Sequence, residues 1–206
     1  MDVKVFAHQG KVAELAINGE PVDRLVMTRF GPEGDKHAER SGQYVPRHGE
    51  PWQAWWEGMP DKPVMFDWRS WVAISLEDRA RLAQLLDMGE IRTGGLWENF
   101  VFSGIPHFSK LPPGARLCIF NAEEVQVCQL MVVDQNFPCS KTAKHLHQTH
   151  GLTRTSFTPD FREHAKNLRG VMGFVTYPGE PAARATILPG YDVRVWLPVN
   201  AHHVIA

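Results

Sequence analysis

The residue of this chain best placed to do chemistry is Cys139, in the run Asp134-Gln-Asn-Phe-Pro-Cys-Ser-Lys141 that comes after the apolar stretch Val125–Val133. A thiolate can ligate a metal or attack an electrophile, and loops carried on rigid strands are where proteins usually hold such groups. Pro138 fixes its own φ and restricts Phe137, so the sulfur is presented by a stiffened backbone, and the nearby charge of Lys141 favours the anion. On these residues alone an incidental free thiol is an equal reading.

Three further segments put polar groups where elements begin or end. Gly31-Pro-Glu-Gly-Asp35 joins a turn to a carboxylate, Gly94-Gly-Leu-Trp-Glu-Asn99 sets an acid and an amide before Phe100-Val-Phe102, and Leu168-Arg-Gly170 puts a guanidinium where a helix passes into a strand. Each alone reads as an ordinary turn or cap. Together with Pro138-Cys139 they supply amides, a carboxylate, a cation and a thiol at element ends, where convergent sites are built.

The elements that must position them are mostly short strands. Gly10–Ile17 and Arg24–Arg29 flank Asn18-Gly19-Glu-Pro21, a hairpin signal that predicts pairing of these two runs. Further strands are expected at Trp71–Ser75, Asn99–Ser103, Ala115–Phe120, Glu124–Val133, Val171–Tyr177, Ala183–Leu188 and Tyr191–Leu197, separated by Gly, Pro, Asn or Asp. So many short strands point to a mostly β chain whose sheet closes into a barrel. Ser75-Leu-Glu-Asp78 opens a helix with a capping-box pattern, Leu76, Ala80, Ala83 and Leu86 recur at helical spacing, and Gly89 is expected to stop it. A short helix capped by Ser140 is predicted through His147, and another over Pro159–Leu168, ended by Gly170.

Composition narrows the function. The 206 residues are 43% hydrophobic with a formal charge of -1, enough for one substantial core and without the basic excess that phosphate backbones demand, so nucleic acid is not expected as a partner. Cys118, Cys128 and Cys139 form a sparse, odd set without zinc-site spacing, which fits a reducing compartment. Cys118 and Cys128 fall inside strand runs and read as core residues. The N-terminal run lacks the apolar stretch of a signal peptide, and nowhere do about 18 apolar residues stand in succession, so a cytoplasmic protein without a membrane partner is expected. His145, His147 and His150 lie close in sequence, but no second cluster completes a zinc set. Cys139 with one of them could form a nucleophilic dyad, although no orienting partner is evident. Residues 39–68 carry Trp52, Trp55, Trp56 and Trp68 among Pro, Gly and charges, and read as a binding insertion or as indoles covering a barrel end.

The order of these pieces resembles the MOSC domain, the module named after the C-terminal part of eukaryotic molybdenum cofactor sulfurases. The matching run is Gly31-Pro-Glu-Gly-Asp35, Ser75 opening a helix, Glu98-Asn99-Phe100, Leu111-Pro-Pro-Gly-Ala-Arg116, Pro138-Cys139, Arg169-Gly170 before Val171–Tyr177, and Gly190-Tyr-Asp192. It spans residues 10–197 and implies one MOSC-type β-barrel domain with a few helices over 1–206. Two places depart from the family: the His-Gly-Gly element finds only Arg47-His-Gly-Glu50 as a counterpart, with Arg69 much later, and Gly-Glu-Asn is lengthened to Gly95-Leu-Trp-Glu-Asn99.

The resemblance implies a site for the molybdenum cofactor, a metal held by a pterin, with Cys139 at the position of the family cysteine that binds the metal or receives sulfur. A soft thiolate suits a molybdenum held by sulfur. Arg169 is expected to pair with the anionic pterin phosphate or an oxo group, Asp35, Glu98 and Asn99 to contribute to holding the cofactor, and Arg69 and Lys141 to add positive charge near the phosphate. The activity implied is reduction of N-hydroxylated or N-oxide small molecules, with electrons from an external donor protein because no flavin, haem or iron-sulfur motif is present. The competing expectation is a non-catalytic carrier of the cofactor or of a persulfide on Cys139. Pyridoxal phosphate is not expected, since no Schiff-base lysine context is present.

Overall fold

The run Trp71-Val-Ala-Ile-Ser75 is buried at every position, which a strand achieves only when both of its faces are covered. Trp71 and Ala73 face one core together with Phe100, Phe102, Leu117, Leu130 and Val195. Ile74 and Val101, of opposite parity, face a second core made by helices. The computed structural model, which describes residues 6–36, 58, 69–152, 157–178 and 183–198, shows why.

Eleven strands are present among these residues: β1 His8–Ile17, β2 Glu20–Val22, β3 Leu25–Thr28, β4 Gly31–Pro32, β5 Trp71–Ser75, β6 Phe100–Ser103, β7 Arg116–Phe120, β8 Gln126–Gln135, β9 Val171–Tyr177, β10 Ala185–Ile187 and β11 Asp192–Trp196. Seven of them run β11-β7-β8-β9-β5-β6-β1 and close through β1–β11 pairing, His8 opposite Val195 and Lys11 opposite Asp192. The expected barrel is therefore present, and closure removes the sheet edges. All its pairings are antiparallel except β5 with β6, because helix α1, Leu76–Leu85, crosses between those two strands. Helices α2, Ser140–Thr149, and α3, Phe157–His164, pack beside α1 over the outer face of β5 and β6.

Three local expectations are corrected. The Asn18-Gly19 hairpin exists, with φ of 53° and 87°, but it returns into the short β2 and not into residues 24–29. Beyond that point the same edge of β1 is taken by Gly190 and Tyr191, which bond Val12, and then by β11. β3 instead joins a separate sheet, β10-β3-β4. Ser75 does cap α1, its hydroxyl accepting from the Asp78 amide at 3.1 Å, but Asp87, with φ of 54°, turns the chain before Gly89 is reached. Finally, α2 is capped by Cys139 itself and runs to Thr149, while α3 begins at Phe157 and gives way to turns after His164. The tryptophan-rich run 39–68 lies outside the described residues apart from Gly58.

Candidate functional site

β8 departs from regular pairing with β9 between Gln129 and Leu130 and again between Val132 and Asp134. Such bulges bend a strand and re-aim the chain that leaves it, here the stretch 136–139 that leads into α2. Cys139 has extended backbone (φ -130°, ψ 156°) as the residue before the first helical turn, so the amides at that end face its sulfur. The side chain is exposed, and its Sγ lies 3.3 Å from the Thr142 hydroxyl. Partial burial pushes this thiol up, but the Thr142 hydroxyl, the Thr142 amide, the Arg169 guanidinium and the Lys141 amide together outweigh it and hold the thiol below its ordinary range.

Arg169 organises this region. The side chain is buried. It donates to the Phe137 carbonyl, to the Thr142 hydroxyl at 2.5 Å and to the Leu96 carbonyl at 3.4 Å. One guanidinium thus ties the Cys139 loop, the first turn of α2 and the 94–99 loop together. Its position depends on Gly170, where φ is 81° and a Cβ would meet the Ala73 carbonyl oxygen at 1.8 Å. No other residue lets β9 start so close to β5. The Gly170 amide is fixed by the Ser109 hydroxyl at 2.8 Å.

The Arg169 Nε and the Asn136 Nδ2 are buried without a hydrogen-bond partner. Both residues line a cavity of about 750 Å³, whose walls include Phe137, Pro138, Arg162 and Lys166. That volume is within the range that takes a drug-sized ligand. Buried donors left unpaired are costly in a folded chain, and here they belong to residues that line an open space.

The other residues singled out from the sequence lie apart from that cavity. Glu98 is buried, its two oxygens accepting the Gly94 amide at 2.8 Å and the Leu96 amide at 2.9 Å. Burial holds its carboxyl above the ordinary range, against the pull of those amides and of Arg79. The Asn99 side chain accepts from the Val72 amide at 3.0 Å and donates to Asp35 at 2.9 Å; Asp35 is itself buried. All three side chains therefore hold the strand-end loops that present Leu96 to Arg169. Lys141 is exposed in the first turn of α2, and Arg69 precedes β5. Among the described residues Arg169 alone of the predicted set lines the cavity.

Asn136, Thr142, Arg162 and Lys166 were not picked out by the sequence reading. Thr142 stands three positions after a helix-capping cysteine, and Arg162 and Lys166 stand four apart, spacings that place side chains on one helical face but do not say what faces them. The histidines diverge: His145 packs against Trp97 with ring centres 4.3 Å apart, His147 against Phe157 at 5.7 Å, and His150 accepts from the Arg92 amide at 3.5 Å. Cys118 and Cys128 are buried strand residues.

The MOSC domain family model matches residues 60–194, and the chain belongs to the MOSC domain family. The YuaD protein of Bacillus subtilis has a similar solved structure, with TM-score 0.71 and 18% identity over 93% of this chain and 98% of that one. A hypothetical protein of known structure has TM-score 0.50 and 16% identity, covering 91% and 69%, and YiiM from Escherichia coli has 0.48 and 15%, covering 92% and 71%. At these identities the likeness concerns the fold. No curated protein matches this chain. The family is associated with the molybdenum cofactor, and the donor set suits such a guest: a soft sulfur on an exposed residue, its thiol held below the ordinary range, with Arg169 and Asn136, each carrying an unpartnered N–H, lining a cavity nearby, matches a soft metal carried on an oxygen-rich, anionic pterin. No described helix is long and apolar enough to cross a membrane.

Proposed function

We propose that this MOSC protein binds the molybdenum cofactor with Cys139 as the protein ligand to the metal, and that it reduces N-hydroxylated or N-oxide small molecules. The observation that carries the reading is the coupling of an exposed, acidified thiol to the buried Arg169, which also borders the large cavity. When bound, the cofactor supplies two-electron oxygen-atom transfer, chemistry no side chain offers. The chain's own residues do the rest. Thr142 and the first amides of α2 orient the sulfur and hold its thiol below the ordinary range. Arg169 locks the three loops, and its Nε and the Asn136 amide N–H remain without protein partners on residues that line the cavity. Asp35, Glu98 and Asn99 hold the loops rigid enough for that geometry to persist. The overall reaction converts a hydroxylamine to an amine and water, consuming two electrons and two protons. An external donor protein delivers the electrons.

A carrier role is favoured by one feature, the surface position of the Cys139 sulfur, which suits handing on a persulfide. The two readings separate on protein made in a host that synthesises the cofactor. Metal analysis is expected to show stoichiometric molybdenum, and assay with a hydroxylamino compound and an artificial reductant is expected to show turnover that Cys139→Ala abolishes. Bound molybdenum without turnover assigns the carrier role. Protein that never retains molybdenum or pterin ends the proposal.

A further inference from the structure

The reduction proposed above draws its electrons from outside the chain, so a donor must dock where Cys139 can be reached. The surface there has a composition that holding the fold together does not require. Phe137, two residues before the cysteine, is 60% exposed. Lys141 and Lys144 follow on α2, both exposed and on one face by their spacing, and that helix, Ser140–Thr149, contains no acid. Arg162 and Lys166, on α3 and the turn after it, are exposed and line the same cavity as Phe137. None of the four cations forms an ion pair among the described residues. Glu163 is the single exposed acid among the described residues of 136–170, Asp160 being half-buried. The whole chain has a formal charge of -1, so this gathering of cations is local. Lys141 and Lys144 do not line the cavity, and a guest inside it does not account for them.

We infer that this face docks the electron donor, and that the donor is a small protein with acidic residues around its own redox group. The inference rests on the reductase reading and deepens it by naming the partner's chemistry. An aromatic centre within a charged rim is the anatomy of a specific interface, and rim charges act chiefly by steering a partner of opposite sign and raising the rate of encounter. Electron-transfer encounters bury little area, roughly below 1,200 Å², which one loop and the neighbouring helix surface can supply. Four exposed cations against one exposed acid attract an acidic carrier and repel a basic one. A one-electron carrier docks twice per cycle: two reduced donors give up one electron each, two protons enter, the N–O bond of the hydroxylamine breaks, an N–H bond forms and the oxygen leaves as water.

Docking is tested on the metal-free full chain by calorimetric titration with a plant-type two-iron ferredoxin, an acidic one-electron carrier, and with cytochrome c, a basic one. The expected result is saturable ferredoxin binding that weakens as salt is raised, no binding of cytochrome c, and a loss of about tenfold or more in Lys141→Glu/Lys144→Glu and in Phe137→Ser. Arg24→Glu, the same reversal between β2 and β3, should bind like wild type. All the substituted side chains are exposed, so the variants are expected to fold, which circular dichroism checks. A second arm uses molybdenum-loaded protein: the ratio of ferredoxin-driven to viologen-driven turnover should fall about tenfold or more in Lys141→Glu/Lys144→Glu. The inference is overturned by absent ferredoxin binding, by equal binding of cytochrome c, by undiminished binding in the α2 variant, or by an equal loss in Arg24→Glu, which would mean bulk charge alone. Binding of phosphatidylserine vesicles in place of ferredoxin would overturn it in favour of a membrane contact. Viologen-driven turnover without ferredoxin binding sinks the docking face and leaves the reductase reading standing. Ferredoxin binding without turnover by either reductant sinks the reductase reading, and with it the partner's role as donor.

Discussion

Burial pushes the Cys139 thiol up, but three kinds of neighbour, a hydroxyl, helix-terminal amides and one guanidinium, outweigh it and hold the thiol below its ordinary range. Its pKa in the folded chain lies below that of an ordinary thiol, so folding is favoured above the usual thiol range and that contribution fades as pH falls through the folded value. Arg169→Met removes the guanidinium and should move the pH midpoint of iodoacetamide alkylation at Cys139 upward, toward the free-thiol value of about 8.5. Peptide mapping of the labelled chain checks the site, and buried Cys118 and Cys128 should stay unlabelled. A midpoint that does not move in Arg169→Met would leave the hydroxyl and the helix amides as the whole cause.

The 94–99 loop is the element that connects the site to the barrel, and it is held from beneath by charge. Arg79 donates to Glu14 at 2.7 and 3.0 Å and lies 3.9 Å from the fully buried Glu98. Burial pushes Glu14 up, but Arg79 and Thr93 outweigh it and leave it below the usual carboxylate range; Glu98 is shifted the opposite way by burial. Glu14 thus supports folding above the ordinary carboxylate range and loses that support as pH falls. Glu98, with its raised value, disfavours the fold as pH rises past the ordinary value. Arg79→Met leaves Glu14 without its ion pair and Glu98 without one nearby cation, and urea denaturation at neutral pH should show a loss of about 3 kcal/mol, the scale for breaking a buried ion pair. The loss should shrink at acidic pH, where Glu98 takes up a proton. An equal loss at both values would mean that the charge of Glu98 is not what Arg79 compensates.

At the scale of the molecule, one barrel carries every part of the site at its strand ends, and its closure depends on a well-filled interior. Trp71 is fully buried and lies so close to Gly173 that a Cβ there would meet its ring at 2.8 Å, which makes it the plug between β5 and β9. Trp71→Ala should cost about 3–5 kcal/mol in chemical denaturation and should loosen the Gly170–Arg169 junction, since β9 begins there. A loss near zero would show that the interior repacks and that the site does not depend on this contact.

Strand order along the chain, the helix opened by Ser75 and the placing of Cys139 and Arg169 at element ends were legible in the sequence, because each rests on local patterns: alternation, a cap, a proline before a thiol, a glycine after a guanidinium. The MOSC resemblance carried the same pieces to a closed barrel. Local pattern does not say which edge is already occupied, so the partner of Leu25–Thr28 was decided only when Gly190, Tyr191 and β11 took the edge of β1. Nor does it say which polar side chain ends up facing space. Glu98, Asn99 and Asp35 look like ligands in sequence but are consumed by backbone amides and by one another. Asn136, Arg162 and Lys166 look like ordinary loop and helix surface but come to line one cavity, a meeting of residues about thirty positions apart that only the tertiary fold brings about.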